Sequence, residues 1–577
     1  MQQMSQRAPV LVRIPDDLLF ERQKKLRPEP TGFYYIPVYH FVRAPRHFED
    51  LDLLKYRCLA IWLDCGALIC FSGSSFNRDD KRTLSLKIEY DGDPKYELEC
   101  VIYGESNEAL AEAATFLCSL KEKGDSTRTR LELYAGFEYD TQYALDFRAF
   151  RPEQLAQILE ANPQRHYDFR MGNWSPEQSV ILATRPFPLN LTLAQSEETN
   201  RGWVFQDGGT AFIDALEQRA TSFGFLTINF PRNLMPFSRN NLIRLFQLDV
   251  VLDKLTMCAL DPELVLLPFS AKVKALQYEV DAKHISPHAF HSLNIVTKDL
   301  DLRLYLDKYH EDWDGRLIAF LNRVAALGDF QRLGLSMNYR WDFEDGDEPF
   351  IEEPNYSRAR VRAFVDALTR TIRANPTLTC VDLSEMNWKV ELCPHMKSLF
   401  KALERHPSMR ILSVREYPTN MKNLRQDVRD RYAAPLEELL LHNENISVFD
   451  TFEERCFIFN STKIAEIYQN RFYRGSERLV KECIFVRPML MGTALVQRAS
   501  KNFRRTACLL SDHTDILCQL FKNATEQEEQ RMQAPSRPKV STQIIAKRRE
   551  SHQTPYVKRA TRTQPSRASK KRTQYGK

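Results

Sequence analysis

Glycine is scarce, at 19 of 577 residues. No stretch carries Gly-x-x-x-x-Gly-Lys-Ser/Thr or Gly-x-Gly-x-x-Gly, the spacings that bring backbone N–H groups against a phosphate. Gly-x-Ser-x-Gly and His-Glu-x-x-His are also missing, which removes the strained nucleophile turn and the paired-histidine zinc helix. A non-enzymatic chain without cofactor or metal is therefore expected. There is no Cys-x-x-Cys, so the 12 cysteines offer neither a zinc ribbon nor a redox pair. They are scattered, mostly in apolar stretches such as those at Cys58, Cys118, Cys258 and Cys508, as reduced core thiols are. No run of about 18 apolar residues is available to span a bilayer. Met1–Arg13 lacks the basic-then-apolar layout of a signal peptide. An intracellular location, cytoplasm or nucleus, is expected.

What is present is charge and apolar periodicity. Charged residues make up 27% and apolar residues 43%, the balance of a globular chain. The charge is unevenly placed. Arg531–Lys577 holds 14 Lys and Arg against one acid, Glu550, a net +13; the whole chain carries +5, which leaves −8 for the rest. The tail is rich in Ser, Thr, Gln and Pro and has little to bury, so disorder is expected there. Lys547-Arg548-Arg549 and Lys570-Lys571-Arg572 are candidates for an import signal or a nonspecific nucleic-acid contact.

A chain of this length exceeds what one core supports, so it is either multidomain or an elongated array. Periodicity favours the array. Val361, Phe364, Val365, Leu368 and Ile372 form one helical stripe, stopped at Asn375-Pro376; Leu378, Val381 and Leu383 follow as a strand. Met396, Leu399, Phe400 and Leu403 repeat the stripe, His406-Pro407 the stop, and Met409, Leu412 and Val414 the strand. Leu317, Phe320, Leu321 and Val324 precede Phe330, Leu333, Leu335 and Asn338 in the same order. One such module leaves an apolar side open, so copies must stack. Weaker copies read Phe223-x-x-Leu226-x-Ile228, Leu252-x-x-Leu255-x-Met257 and Val273-x-x-Leu276-x-Tyr278.

The spacing apolar-x-x-apolar-x-apolar-x-x-Asn at Phe330, Leu333, Leu335 and Asn338 resembles leucine-rich repeats of the ribonuclease-inhibitor type. The resemblance spans roughly residues 107–452. It implies an α/β solenoid: a curved parallel sheet, helices on its convex side, and Asn338 closing a backbone ladder at the turn. Met386 and Tyr417 stand where the next copies would place that Asn. It also implies a monomeric protein-binding scaffold whose concave face holds another protein. Asn229, Arg332, Gly334 and Ser336, then Thr379, Asp382, Ser413 and Arg415, are the strand positions expected to line that face. A doubly wound α/β domain, with an enzyme's pocket, is the competing reading; the missing Gly-rich βα turn weighs against it.

The remaining segments divide as follows. Residues 1–32 are polar and Pro-bearing, with little order expected. Ile14-Pro15-Asp16-Asp17-Leu18-Leu19 is similar to the opening of an F-box, which suggests a ubiquitin-ligase substrate receptor, but Pro28, Pro30 and Gly32 break the helix that module needs. Residues 33–106 read as a β-rich N-terminal cap, with a hairpin at Leu84–Tyr90 and Tyr96–Ile102, or as a separate domain. Residues 107–458 are the solenoid, 459–522 a helical C-terminal cap, and 523–577 the tail. Trp341–Pro354 is strongly acidic and reads as a projecting loop; Trp341 and Phe343 fall where an EF-hand needs ligands, which excludes a calcium loop. His284, His288 and His291 are close in sequence, but Pro287 interrupts them, and a solvated cluster is expected.

Overall fold

The computed structural model describes residues 10–28, 35–51, 58–72, 82–90, 97–122, 129–134, 145–170, 172–194, 203–230, 235–249, 251–306, 312–339, 358–386, 393–414, 426–449, 462–480, 486–494 and six single positions between 506 and 516. The acidic loop, Tyr417 and the basic tail lie outside the described residues. The chain forms two compact units, Met1–Tyr468 and Gln469–Lys577.

The first unit begins with β1 (Leu11–Arg13), α1 (Glu21–Leu26), β2 (Val38–Phe41), β3 (Cys58–Leu63), β4 (Ala67–Ser72), β5 (Thr83–Tyr90) and β6 (Glu97–Gly104). β5 and β6 are the hairpin expected from period-two alternation. This part of the sheet is mixed, with β1–β2, β3–β4, β4–β6 and β5–β6 antiparallel and β2–β3 parallel. Both of its faces are covered. Leu59, Ile61, Ile69 and Ile102 join the main core, while Ala60, Trp62, Leu68 and Tyr103 point the other way, under Leu19, Leu26 and Ile14. The expectation of little order before Phe33 is therefore corrected for residues 10–28. Of the F-box-like opening, Ile14 and Leu19 pack on the chain's own strands while Leu18 is exposed, and the apolar area buried by Leu19 and Leu26 offsets the entropy of ordering the segment.

After α2 (Asn107–Cys118), capped by Ser106 Oγ accepting from the Ala109 N–H at 3.2 Å, comes β7 (Thr129–Tyr134), antiparallel to β5. From β7 on, each pairing in the sheet is parallel and in chain order: β8 (His166–Arg170), β10 (Leu189–Ala194), β12 (Gly224–Asn229), β13 (Leu252–Met257), β14 (Ala275–Asp281), β15 (Asp299–Leu306), β16 (Arg332–Tyr339), β17 (Cys380–Leu383), β18 (Ile411–Val414) and β19 (Ser447–Phe449). A side pair, β9 (Gly172–Trp174) and β11 (Trp203–Phe205), lies outside this 17-stranded sheet. The connections carry α3 (Pro152–Ala161), α4 (Pro176–Ala183), α5 (Thr210–Glu217), α6 (Arg239–Gln247), α7 (Trp313–Leu327), α8 (Arg358–Ala374), α9 (Cys393–Leu403) and α10 (Gln426–His442). Around β14 the connections shrink to 3-10 turns at Leu267–Ser270 and Pro287–Phe290, which accounts for the short spacing there.

One residue from every parallel strand falls on a single line across the sheet: Leu131, Tyr167, Leu191, Leu226, Leu255 and Leu276, continuing through Leu300, Leu333, Val381, Leu412 and Val448. All are buried in one continuous core with the helix stripes. Each inner strand hides its apolar side against two neighbours and the helix or turn that connects them, which a lone module cannot do.

A second line, of polar residues, ties the ends of four helices, α3, α8, α9 and α10, to the repeat before. Asn162 Nδ2 donates to the Leu120 carbonyl at 2.9 Å. Asn375 Nδ2 donates to Thr371 O at 2.8 Å and Val324 O at 3.4 Å, and its Oδ1 accepts from the Phe330 N–H at 3.0 Å. His406 Nε2 reaches Ile372 O and Asn375 O, and Asn443 Nδ2 donates to Leu403 O at 2.9 Å. These side chains add donors to carbonyls at helix ends, where regular intrahelical bonds run out. The side chain of Asn338 lies outside the described residues. β16 continues to Tyr339, so Asn338 is still within the ladder, opposite Tyr305.

α11 (Thr462–Val480) crosses the division between the units. In the first, Tyr468 Oη accepts from the Val448 N–H at 3.2 Å. In the second, α12 (Arg487–Ala494) buries Met491, and Arg487 Nη2 lies 3.0 Å from Nδ1 of the buried His513. Among the described residues no helix is long and apolar enough to cross a membrane.

Candidate partner-binding face

Alternation that sends one set of side chains to the helices sends the other set to the opposite face. There, register lines up Glu132, Asp168, Thr192, Thr227 and Thr256, then Gln277, Asp301, Gly334, Asp382 and Ser413. A flanking row runs from Arg130 and His166 through Lys254, Asp299 and Arg332 to Cys380 and Ile411.

Charge is concentrated at two places along these rows, with threonines between them. Toward the antiparallel end, Arg130 Nη2 contacts Asp168 Oδ2 at 2.5 Å and Glu132 at 3.1 Å, and Arg170 Nη2 contacts Glu132 at 3.1 Å and Asp168 at 3.2 Å. Two guanidiniums stand against two nearly buried carboxylates, and Arg130 also reaches Glu89 at 3.9 Å. Burial raises the Glu132 pKa, opposed by the two arginines.

The second concentration lies on β14 to β17. Asp299 pairs with Arg332 Nε at 3.1 Å. Arg303 stands among Glu279, Asp301 and Glu385 at 3.8, 3.7 and 3.4 Å. Burial raises the pKa of Glu279, Asp299 and Asp301 and lowers that of Lys254.

Of the positions expected from sequence, Asn229 ends β12 and is exposed. Arg332, Gly334 and Ser336 lie on this face of β16; Arg332 is open to solvent, while Gly334 and Ser336 are buried. Asp382 and Ser413 are half-buried neighbours in register. Thr379 precedes β17, and its hydroxyl donates to Gln331 O at 2.9 Å, joining consecutive repeats; Cys380 occupies the strand position. Arg415 lies outside the described residues. Glu279, Asp301 and Arg303 were not singled out, although Asp299-Leu300-Asp301-Leu302-Arg303-Leu304-Tyr305-Leu306 alternates strictly and marks β15.

The histidine group is split between two turns, with His288 and His291 ring centroids 5.6 Å apart. A different set, Glu404, Glu438 and His442, brings donor atoms within 4.8 Å of one another on the helical side. Exposed carboxylates often gather this way without an ion.

The chain is thus an α/β repeat protein built on a long, mostly parallel sheet, and its strand units carry leucine-rich-repeat features. No family model matches it, and no curated protein does. Among solved structures, it is similar to the crystal structure of the leucine-rich repeat-containing protein LegL7 from Legionella pneumophila, at 12% identity and a TM-score of 0.32, covering 52% of this chain and 96% of that one. At that distance the fold is argued from the sheet itself.

Proposed function

We propose that this protein is a non-enzymatic scaffold that holds another protein on the sheet face opposite the helices, acting as a monomer in the cytoplasm or nucleus. The observation that carries the reading is the division of labour between the faces. The helix-facing side is consumed by packing, while the other presents polar rows held in register by eleven parallel strands. Rigid strands fix such side chains at small entropic cost on binding. In the ribonuclease-inhibitor type that the repeats resemble, this face is the concave side of a curved sheet, and the antiparallel strands with residues 10–28 over them serve as the cap at the N-terminal end. The thiols of Cys100 and Cys118 are free and buried, which suits a reducing compartment. The ubiquitin-ligase reading gains no support, because Leu19 and Leu26 are buried against the chain's own strands.

A photo-crosslinking residue placed in the full chain at Phe225 or Ser413 on the face, or at Arg362 on α8, tests this in cells. Protein adducts are expected from the face positions and not from Arg362. Adducts confined to Arg362, or none from the face, count against the reading.

A further inference from the structure

We propose that the carboxylates of Asp301, Asp382 and Glu385 form a slot above Gly334 that takes an arginine side chain of the protein partner. This rests on the reading of the polar face as the binding surface and names the chemistry of what it binds.

Asp301 on β15 and Asp382 on β17 flank Gly334 in one row of the sheet. A Cβ at 334 would lie 2.7 Å from Asp301 Oδ1, so the glycine leaves room for that carboxylate to lie across β16. Asp382 commits Oδ1 to the Ser384 N–H at 3.0 Å and hydroxyl at 2.6 Å. Glu279 and Glu385 bring the local set to four carboxylates. Arg303 stands 3.4 to 3.8 Å from three of them, Glu279, Asp301 and Glu385, distances too long for good hydrogen bonds. Its Nε has no hydrogen-bond acceptor. The neighbouring cations, Lys254 and Arg332, stand one row away on either side of Asp299 in register. Among the described residues, four carboxylates with one guanidinium among them leave a local deficit of positive charge.

Two further observations agree. Burial raises the pKa of Asp301, and the like charges of Asp382 and Glu385 add to the rise against the pull of Arg303 and Lys254. Ser336, beside Arg303 in register, is 2% exposed, yet its hydroxyl has no hydrogen-bond partner. Carboxylates short of a cation beside an unused hydroxyl suit a planar group with several N–H donors. A guanidinium offers five in a fixed fork, whereas an ammonium is a point charge.

The test uses fluorescence anisotropy of the full chain with a dye-labelled peptide of alternating Arg and Gly, and with its Lys and Glu counterparts. The Arg peptide is expected to bind more tightly than the Lys peptide, and the Glu peptide not at all. Asp301→Asn with Asp382→Asn is expected to weaken Arg-peptide binding on the order of tenfold or more. Asp366→Asn on α8 should leave it unchanged. Acid should weaken binding as Asp301 and Glu279 take up protons. Because the Asp301 pKa is raised on folding, its ionisation costs stability as pH rises through that value. Asp301→Asn removes the cost, so its Tm at neutral pH should equal or exceed that of the parent, and the gap should close in acid. Failure of the Arg peptide to bind, equal binding by the double variant, or a lower Tm for Asp301→Asn overturns the proposal; the last would make the cluster an internal ion network. If face crosslinks at Phe225 persist alongside such a result, the binding face stands and only the arginine slot falls.

Discussion

At the scale of single residues, the side chains that matter most for the fold are polar ones at turns. Asn375 is fully buried and makes bonds to two preceding carbonyls and one N–H. Removing it strands the Phe330 N–H in the core and takes a donor from the Thr371 and Val324 carbonyls. Asn375→Ala is therefore expected to lower unfolding free energy by about 1–3 kcal/mol, the cost of leaving buried groups unpaired, measured by chemical denaturation. Asn162-Pro163, Asn375-Pro376 and His406-Pro407 were legible as stops, since Pro bars the helix. That the residue before each Pro reaches back into the previous repeat was not legible, because those carbonyls lie tens of residues upstream.

At the scale of elements, β15 shows the division between faces most plainly. Its four leucines face the core and its Asp299, Asp301, Arg303 and Tyr305 face the other way. Leu302→Ala should cost about 2–5 kcal/mol through the cavity it leaves between β14 and β16. Thr256→Val on the polar face of β13, half-buried, should change stability by less than about 0.5 kcal/mol. The same equilibrium unfolding measurements distinguish the two. Helices with long stripes, α7 and α8 among them, emerge from 3.6-residue periodicity alone. The shorter pieces, β8 and α4, do not, because five to eight residues carry too little periodic signal.

At the scale of the whole first unit, stability should be graded along the sheet. Each repeat touches only its neighbours. β1 and β19 have three residues each and one paired neighbour in the sheet, while β15 has eight, registered on both sides. Amide hydrogen exchange followed by mass spectrometry should be slowest in β14–β16 and faster toward β1 and β19. Uniform protection across the sheet would contradict a nearest-neighbour array.

The sequence by itself determined that helix–strand modules recur and must stack, because spacing decides which face of each element is apolar and an unshared apolar face cannot stay in water. Tertiary structure alone decided which strands lie side by side, and so which charges meet. Glu279, Asp301, Asp382 and Glu385 are separated by up to about a hundred residues of chain. Only parallel register, reached through crossovers of unequal length, sets them together at β14–β17.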